Sequence, residues 1–242
     1  MENFLAERST ISFALGNLPI NCMATVVLVH GGNMSTDTWN RLRERNDYPP
    51  GGLLGPKYWN GTVAYLEAHG HRAFAPALPD EHTHDLSDHI GVICRLMEDH
   101  ELRGVVLVGH SYGGMVITGA AERLRARVRR LIYVDAALPD PGQSLFDLFS
   151  ASGADPLSFT GLEAACAYTQ KLQYDPRRLR GIGRTYIRCI KSDFAGVTRV
   201  ARTKIAADGA GQWDYRELPT SHVPMATMPK RFYRMLVNAA LR

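Results

Sequence analysis

The residues GVVLVGHSYGGMVITGAA, Gly104 to Ala121, decide how the rest of the chain is read. Within them Gly109-His110-Ser111-Tyr112-Gly113 forms G-x-S-x-G. A β-branched run, Val105 to Val108, enters this motif, and a helix-like segment, Gly114 to Leu124, leaves it. A strand that turns sharply into a helix through this motif is a nucleophile elbow. The turn holds its serine in a strained backbone conformation that lifts Oγ above the sheet, and side chains two positions either side would collide. Glycines at 109 and 113 relieve that crowding. The helix that follows aims free N–H groups and its positive dipole end toward Ser111, where negative charge would be stabilised.

Working upstream, Thr25 to Val29 is a continuous apolar and β-branched run that empties into His30-Gly31-Gly32-Asn33, the pattern of a buried parallel strand and a glycine-rich loop. Acyl transfer needs two N–H donors converging on the oxyanion. The residue after the nucleophile, Tyr112, supplies one, and Gly32 is placed to supply the other. Gly31, Asn33 and His110 flank these groups and are expected to contact the substrate.

The stretch RLRERNDYPPGGLLGPKY, Arg41 to Tyr58, breaks any helix begun near Trp39, so a loop insertion is expected at about 40–58, with Trp39, Tyr48, Leu54 or Tyr58 lining a pocket. A helix is expected over Trp59 to Ala68, a strand over Arg72 to Ala77 and a helix over Leu86 to His100. In EHTHD, Glu81 to Asp85, one H-x-H lacks the fixed ligand pattern of a zinc site, and the stretch reads as a polar loop and helix N-cap. No metal and no cofactor is expected.

Downstream, Val128 to Val134 is a buried strand closed by Asp135, a candidate acid, because strands of such a sheet present their C-terminal ends to the site. Short amphipathic segments, LFDLFSASG and LEAACAYTQKL, fill the region from 140 to 183 and read as a helical cap inserted in a single domain spanning 1–242. Arg184 to Ile190 is strand-like and leads to Asp193, a second candidate acid. Gly196 to Ala207 reads as a helix, Trp213 to Leu218 as the last strand, and Met228 to Leu241 as a terminal helix. Thr10 to Leu15 fits an edge strand. Strand and helix alternate throughout, which specifies an α/β fold with a mostly parallel sheet and helices on both faces.

A serine hydroxyl is a poor nucleophile at neutral pH, so a base must take its proton and a carboxylate must hold that base in the right tautomer. The order serine, acid, histidine narrows the base to His222, the one histidine beyond Ser111, in the loop after the last strand.

The chain carries 28 Lys and Arg against 24 Asp and Glu, and its two basic stretches, RLRARVRR and RRLRGIGR, lack the interleaved aromatics of a nucleic-acid surface. Cys22, Cys94, Cys166 and Cys189 have no metal or disulfide spacing and read as reduced, buried thiols. No run approaches the length of a membrane span. The expectation is a cytoplasmic protein with a small-molecule substrate and neither a nucleic-acid nor a membrane partner, a homodimer being allowed.

Four pieces, VLVHGG (Val27 to Gly32), VVLVGHSYGGMV (Val105 to Val116), TYIRC (Thr185 to Cys189) and SHVPMATMP (Ser221 to Pro229), resemble the α/β-hydrolase superfamily, nearest its plant methylesterase and hydroxynitrile lyase branch and bacterial esterase relatives. The resemblance implies Ser111 as nucleophile, His222 as base, and the N–H groups of Gly32 and Tyr112 as oxyanion hole. In plant members the acid stands where this chain has Ser192, with Asp193 one residue late. Other members take it from the strand after the nucleophile helix, which favours Asp135. Lyase members carry a threonine and a lysine where this chain has Gly31 and Val223, which speaks against cyanohydrin cleavage. Dehalogenase and epoxide hydrolase relatives need an aspartate where Ser111 stands. The expected activity is hydrolysis of a small carboxylic ester or lactone through an acyl-enzyme. The alternatives are carbon–carbon bond hydrolysis or other non-acyl chemistry on the same scaffold, and a non-catalytic ligand receptor.

Overall fold

The computed structural model describes residues 23–159, 162–209 and 211–242; the strand expected at 10–15 and Cys22 lie outside them. In chain order the elements are β1 (Thr25–Val29), α1 (Thr36–Arg43), α2 (Asn60–Ala68), β2 (Arg72–Phe74), α3 (Leu86–Asp99), β3 (Val105–His110), α4 (Gly113–Arg123) and β4 (Val128–Val134). There follow α5 (Leu145–Ala151), α6 (Cys166–Thr169), β5 (Gly183–Cys189), α7 (Ala195–Ala207), β6 (Asp214–Leu218), α8 (Pro224–Thr227) and α9 (Pro229–Ala240). Among the described residues six strands form one sheet in the order β2-β1-β3-β4-β5-β6, and every pairing between them is parallel.

Parallel pairing requires crossovers that cover both faces, so the central strands are apolar on both sides. In β3, Val105 and Leu107 join the core shared with α3, α4 and α7, while Val106 and Val108 join the one shared with α2 and α9. The chain crosses to β3 through α3, whose entry is defined by a capping box. Asp85 accepts from the Asp88 N–H at 3.0 Å and Asp88 accepts from the Asp85 N–H at 3.1 Å. Such a cap contributes about 1 kcal/mol. EHTHD therefore delivers a helix start, and His82 and His84 are exposed.

Several expected boundaries move. Helix α1 begins at Thr36 because Ser35 caps it, its hydroxyl accepting from the Thr38 N–H. Strand β2 ends at Phe74, and four residues on, the Leu78 N–H donates to His30 Nε2 and draws the chain toward the β1 loop. Of the four residues expected to line a pocket, Trp39, Leu54 and Tyr58 are buried and pack into the core beside α9, while Tyr48 borders a surface groove. Cys94 and Cys189 are buried free thiols, but Cys166 is exposed, because α6 turns that side of its single turn outward. Among the described residues no helix is long and apolar enough to cross a membrane.

Candidate active site

Strand β3 ends at His110 and α4 begins at Gly113, so two residues make the turn between them. Ser111 takes a left-handed conformation, φ 56°, which an L-residue adopts only where its surroundings hold it there. Those surroundings are backbone bonds: the Ser111 N–H donates to Val134 O at 3.3 Å, and Ser111 O accepts from the Ala137 N–H at 2.9 Å. A Cβ on Gly109 would stand 2.5 Å from Gly113 O, and one on Gly113 would stand 2.6 Å from Val29 O. Only hydrogen fits at either place.

Asp135 follows β4 as Ser111 follows β3, and it is also left-handed, φ 43°. Its N–H donates to Ile187 O at 2.7 Å, and the residue is fully buried. Three donors meet its carboxylate. Cys189 N–H donates to Oδ1 at 2.8 Å, and both the Ser192 hydroxyl, at 2.5 Å, and His222 Nδ1, at 2.7 Å, donate to Oδ2. A carboxylate only accepts, so the His222 proton sits on Nδ1 and its Nε2 lone pair is free. That lone pair faces the Ser111 hydroxyl, Nε2 to Oγ 2.9 Å. The ring of His222 is held by Phe194 at 4.9 Å between centroids and by the edge of Phe159 at 5.8 Å. The structure thus brings Ser111, His222 and Asp135 into one line.

Asp193 is not in it. It is exposed on the rim of a cavity of about 140 Å³ lined with Phe149, Ser158 and Phe159. A one-residue step at the end of β5 turns Ser192 inward and Asp193 outward. A larger surface groove of about 620 Å³, lined by Asp37, Asp47, Tyr48 and Pro49 among others, shares no residue with the Ser111 cluster.

Gly31 lies against the serine; a Cβ there would stand 2.7 Å from Ser111 Cβ. Beyond it the N–H groups of Gly32 and Tyr112 have no partner among the described residues. The Tyr168 hydroxyl stands over Gly32, 2.8 Å from where a Cβ would be, and donates to Glu81 Oε1 at 3.2 Å.

Gly31, Asn33 and His110, expected to contact the substrate, each carry hydrogen bonds within the protein. The Gly31 N–H donates to the Tyr58 hydroxyl at 2.6 Å, and Asn33 Oδ1 accepts from the Gly55 N–H at 3.0 Å. His110 is buried with both ring nitrogens engaged, by Tyr58 Oη and by His222 O. Burial lowers the His110 pKa well below its ordinary value, with the His222 ring beside it adding to the effect. Burial likewise lowers His30 to about 4.

Sequence reasoning passed over Ser192 as a participant and gave Tyr58 a different place. A hydroxyl at the inward position after β5 was the available signal for the first; nothing in the local pattern marks the second.

Comparison with known proteins follows the same outline. A family model described as "Alpha/beta hydrolase family" matches residues 26–166. The chain is 37% identical over 135 residues to a carbendazim hydrolyzing esterase of Nocardioides sp. (strain SG-4G), a match covering 52% of this chain and 47% of that protein. It is 33% identical over 106 residues to the polyneuridine aldehyde esterase of Rauvolfia serpentina, covering 39% of each. The matched part spans less than half of either relative. Among solved structures, an extracellular alpha/beta-hydrolase from a Paenibacillus species superposes with a TM-score of 0.69 at 19% identity, over 90% of this chain and 100% of that one. At that identity the likeness is one of fold.

Proposed function

The chain belongs to the alpha/beta hydrolase family, and from that premise we propose that it is a serine hydrolase cleaving a small carboxylic ester or lactone through an acyl-enzyme. The observation that carries this reading is the unbroken hydrogen-bonded line from Ser111 Oγ to His222 Nε2, 2.9 Å, and from His222 Nδ1 to Asp135 Oδ2, 2.7 Å. The esterase names of the relatives support it.

His222 Nε2 takes the Ser111 proton as Oγ bonds to the carbonyl carbon. The carbonyl oxygen gains the charge and turns to the N–H groups of Gly32 and Tyr112, donors fixed before the reaction begins. Asp135 keeps the proton on Nδ1 and balances the imidazolium. His222 then gives its proton to the leaving alkoxide as the carbon–oxygen bond breaks, and water repeats the sequence to free the acid and Ser111. The stretch between β4 and β5 acts as the cap, with Phe159 setting an apolar ring edge at His222 and Tyr168 holding its hydroxyl over Gly32.

The test is turnover of short-chain p-nitrophenyl esters, simple lactones and carbendazim, with fluorophosphonate labelling located by mass spectrometry. Turnover and labelling at Ser111, both lost in Ser111→Ala, are expected; ester hydrolysis that survives this substitution overturns the proposal.

A further inference from the structure

Two large buried polar side chains take no part in the steps above. Tyr58 comes from the helical turn Gly55–Trp59 that closes the 40–58 stretch, and His110 is the last residue of β3. Each is 2% exposed. Their hydrogen bonds admit one arrangement of protons. The carbonyl of His222 can only accept, so His110 Nε2 carries the proton and donates to it at 2.7 Å. His110 Nδ1 is then a lone pair and accepts from the Tyr58 hydroxyl at 3.1 Å. The Tyr58 oxygen in turn accepts from the Gly31 N–H at 2.6 Å. The chain of donors runs in one direction, from Gly31 through Tyr58 and His110 to His222.

We infer that Tyr58 and His110 are positioning residues for ester hydrolysis, tying the oxyanion loop to the backbone of the catalytic histidine through this buried chain. Its two ends belong to segments 191 residues apart in sequence, 31 and 222, that no strand pairing joins. Gly31 packs directly on Ser111, and the next residue offers its N–H to the substrate oxygen, so a shift of Gly31 moves the oxyanion donor. At the other end a shift of the His222 carbonyl moves the imidazole. Successive bonds in such a chain polarise one another, and a break at one link weakens the rest. The chain also tolerates the charge that forms on His222. Burial and the neighbouring imidazole disfavour a second proton on His110, and burial raises Tyr58, so both stay neutral. Edge-on packing of the two rings, 5.6 Å between centroids at 83°, fixes their orientation.

This inference rests on the ester-hydrolase reading, and the experiment separates the two. Tyr58→Phe deletes one oxygen and both of its bonds while keeping the ring. His110→Gln keeps a donor for the His222 carbonyl and an acceptor for Tyr58, whereas His110→Leu keeps neither. Each variant is compared with wild type by circular dichroism, kcat and KM on a p-nitrophenyl ester, and affinity for an alkyl trifluoromethyl ketone. That ketone bonds to Ser111 Oγ as the hydroxyl proton passes to His222, which places an oxyanion at Gly32 and Tyr112.

Tyr58→Phe and His110→Leu are expected to fold and to lose about 10- to 100-fold in kcat with KM within about twofold, since misplacing reacting groups acts on the transition state. Ketone affinity should fall in step, and His110→Gln should recover most of the loss. If Tyr58→Phe matches wild type in kcat and ketone affinity, or if His110→Gln is as impaired as His110→Leu, the inference is overturned. Should His110→Leu fail to fold, Tyr58→Phe and His110→Gln decide the matter by the same criteria. Wild-type protein that the fluorophosphonate does not label at Ser111 sinks the hydrolase reading instead.

Discussion

The hydroxyl of Ser192 stands 2.5 Å from Oδ2 of Asp135, the same oxygen that accepts from His222 Nδ1. One residue comes from the end of β5 and the other from the end of β4, so adjacent strands converge on a single carboxylate oxygen. The Phe194 N–H donates to Ser192 Oγ at 3.0 Å and sets the hydroxyl's direction. Removing the donor with Ser192→Ala is expected to lower stability by about 1.5–3 kcal/mol, the usual range for a hydrogen bond to a charged group. Chemical denaturation of the two proteins measures this. A change below about 0.5 kcal/mol would mean that the carboxylate is satisfied without Ser192.

Asp135→Asn keeps the shape of the site and removes the charge. The amide can present an N–H to His222 Nδ1, which favours the tautomer with its proton on Nε2, where the Ser111 proton must go. A loss of about 10³- to 10⁴-fold in kcat is expected, with circular dichroism unaltered. Asp193→Asn changes an exposed carboxylate and should leave kcat within about twofold. Steady-state kinetics on one ester distinguishes the two aspartates, and the reverse ranking would refute the assignment of Asp135.

The difference between those two aspartates marks where the sequence stopped being legible. Continuous apolar runs identified the central strands, and for β4 the expected and observed bounds coincide at 128 and 134, its last four residues, 131–134, being buried on both faces. Chain order alone singled out His222 as the histidine beyond Ser111. Whether an aspartate after a strand turns inward depends on its backbone angles, and the φ of 43° at Asp135 leaves no trace in residue type. Helix α8 was missed because its single turn, opened by Pro224, is shorter than any periodic signal. The Tyr58 contacts were missed because they join positions 27 and 52 residues away.

Acid should destabilise the fold before it protonates ordinary carboxylates. His30 is buried as the neutral ring, donating from Nδ1 to Gly31 O and accepting at Nε2 from the Leu78 N–H. Its folded pKa of about 4 lies below the unfolded value near 6.5. Between those values the unfolded chain binds the extra proton, so stability falls as pH drops through this window and is retained above it. Burial lowers His89 and His110 in the same direction. The contribution of His30 is on the order of 3 kcal/mol by pH 4. Melting temperature followed from pH 7.5 to 4.5 should drop, and His30→Gln should flatten the curve; a flat wild-type profile contradicts the burial argument.

The convergence of β4 and β5 on His222 also implies that the carboxylate can be delivered from either strand. Ser192 Oγ lies 3.4 Å from His222 Nδ1. In an aspartate at 192 the carboxyl carbon takes roughly the place of Oγ, and its oxygens reach about 1.2 Å further, within hydrogen-bonding distance of the imidazole. Alone, Ser192→Asp would set two carboxylates side by side in a buried site, and repulsion should destabilise the protein. Combined with Asp135→Asn the conflict disappears: the asparagine oxygen still accepts from the Cys189 N–H, and its amide N–H groups can donate to the new carboxylate. The double variant Asp135→Asn/Ser192→Asp is therefore expected to recover about tenfold or more of the kcat lost in Asp135→Asn, because a charged acceptor again holds the proton on Nδ1. Assay of wild type, both single variants and the double variant on one ester completes the cycle. A double variant no faster than Asp135→Asn would show that orientation at the end of β4, and not charge beside Nδ1, is what the imidazole requires.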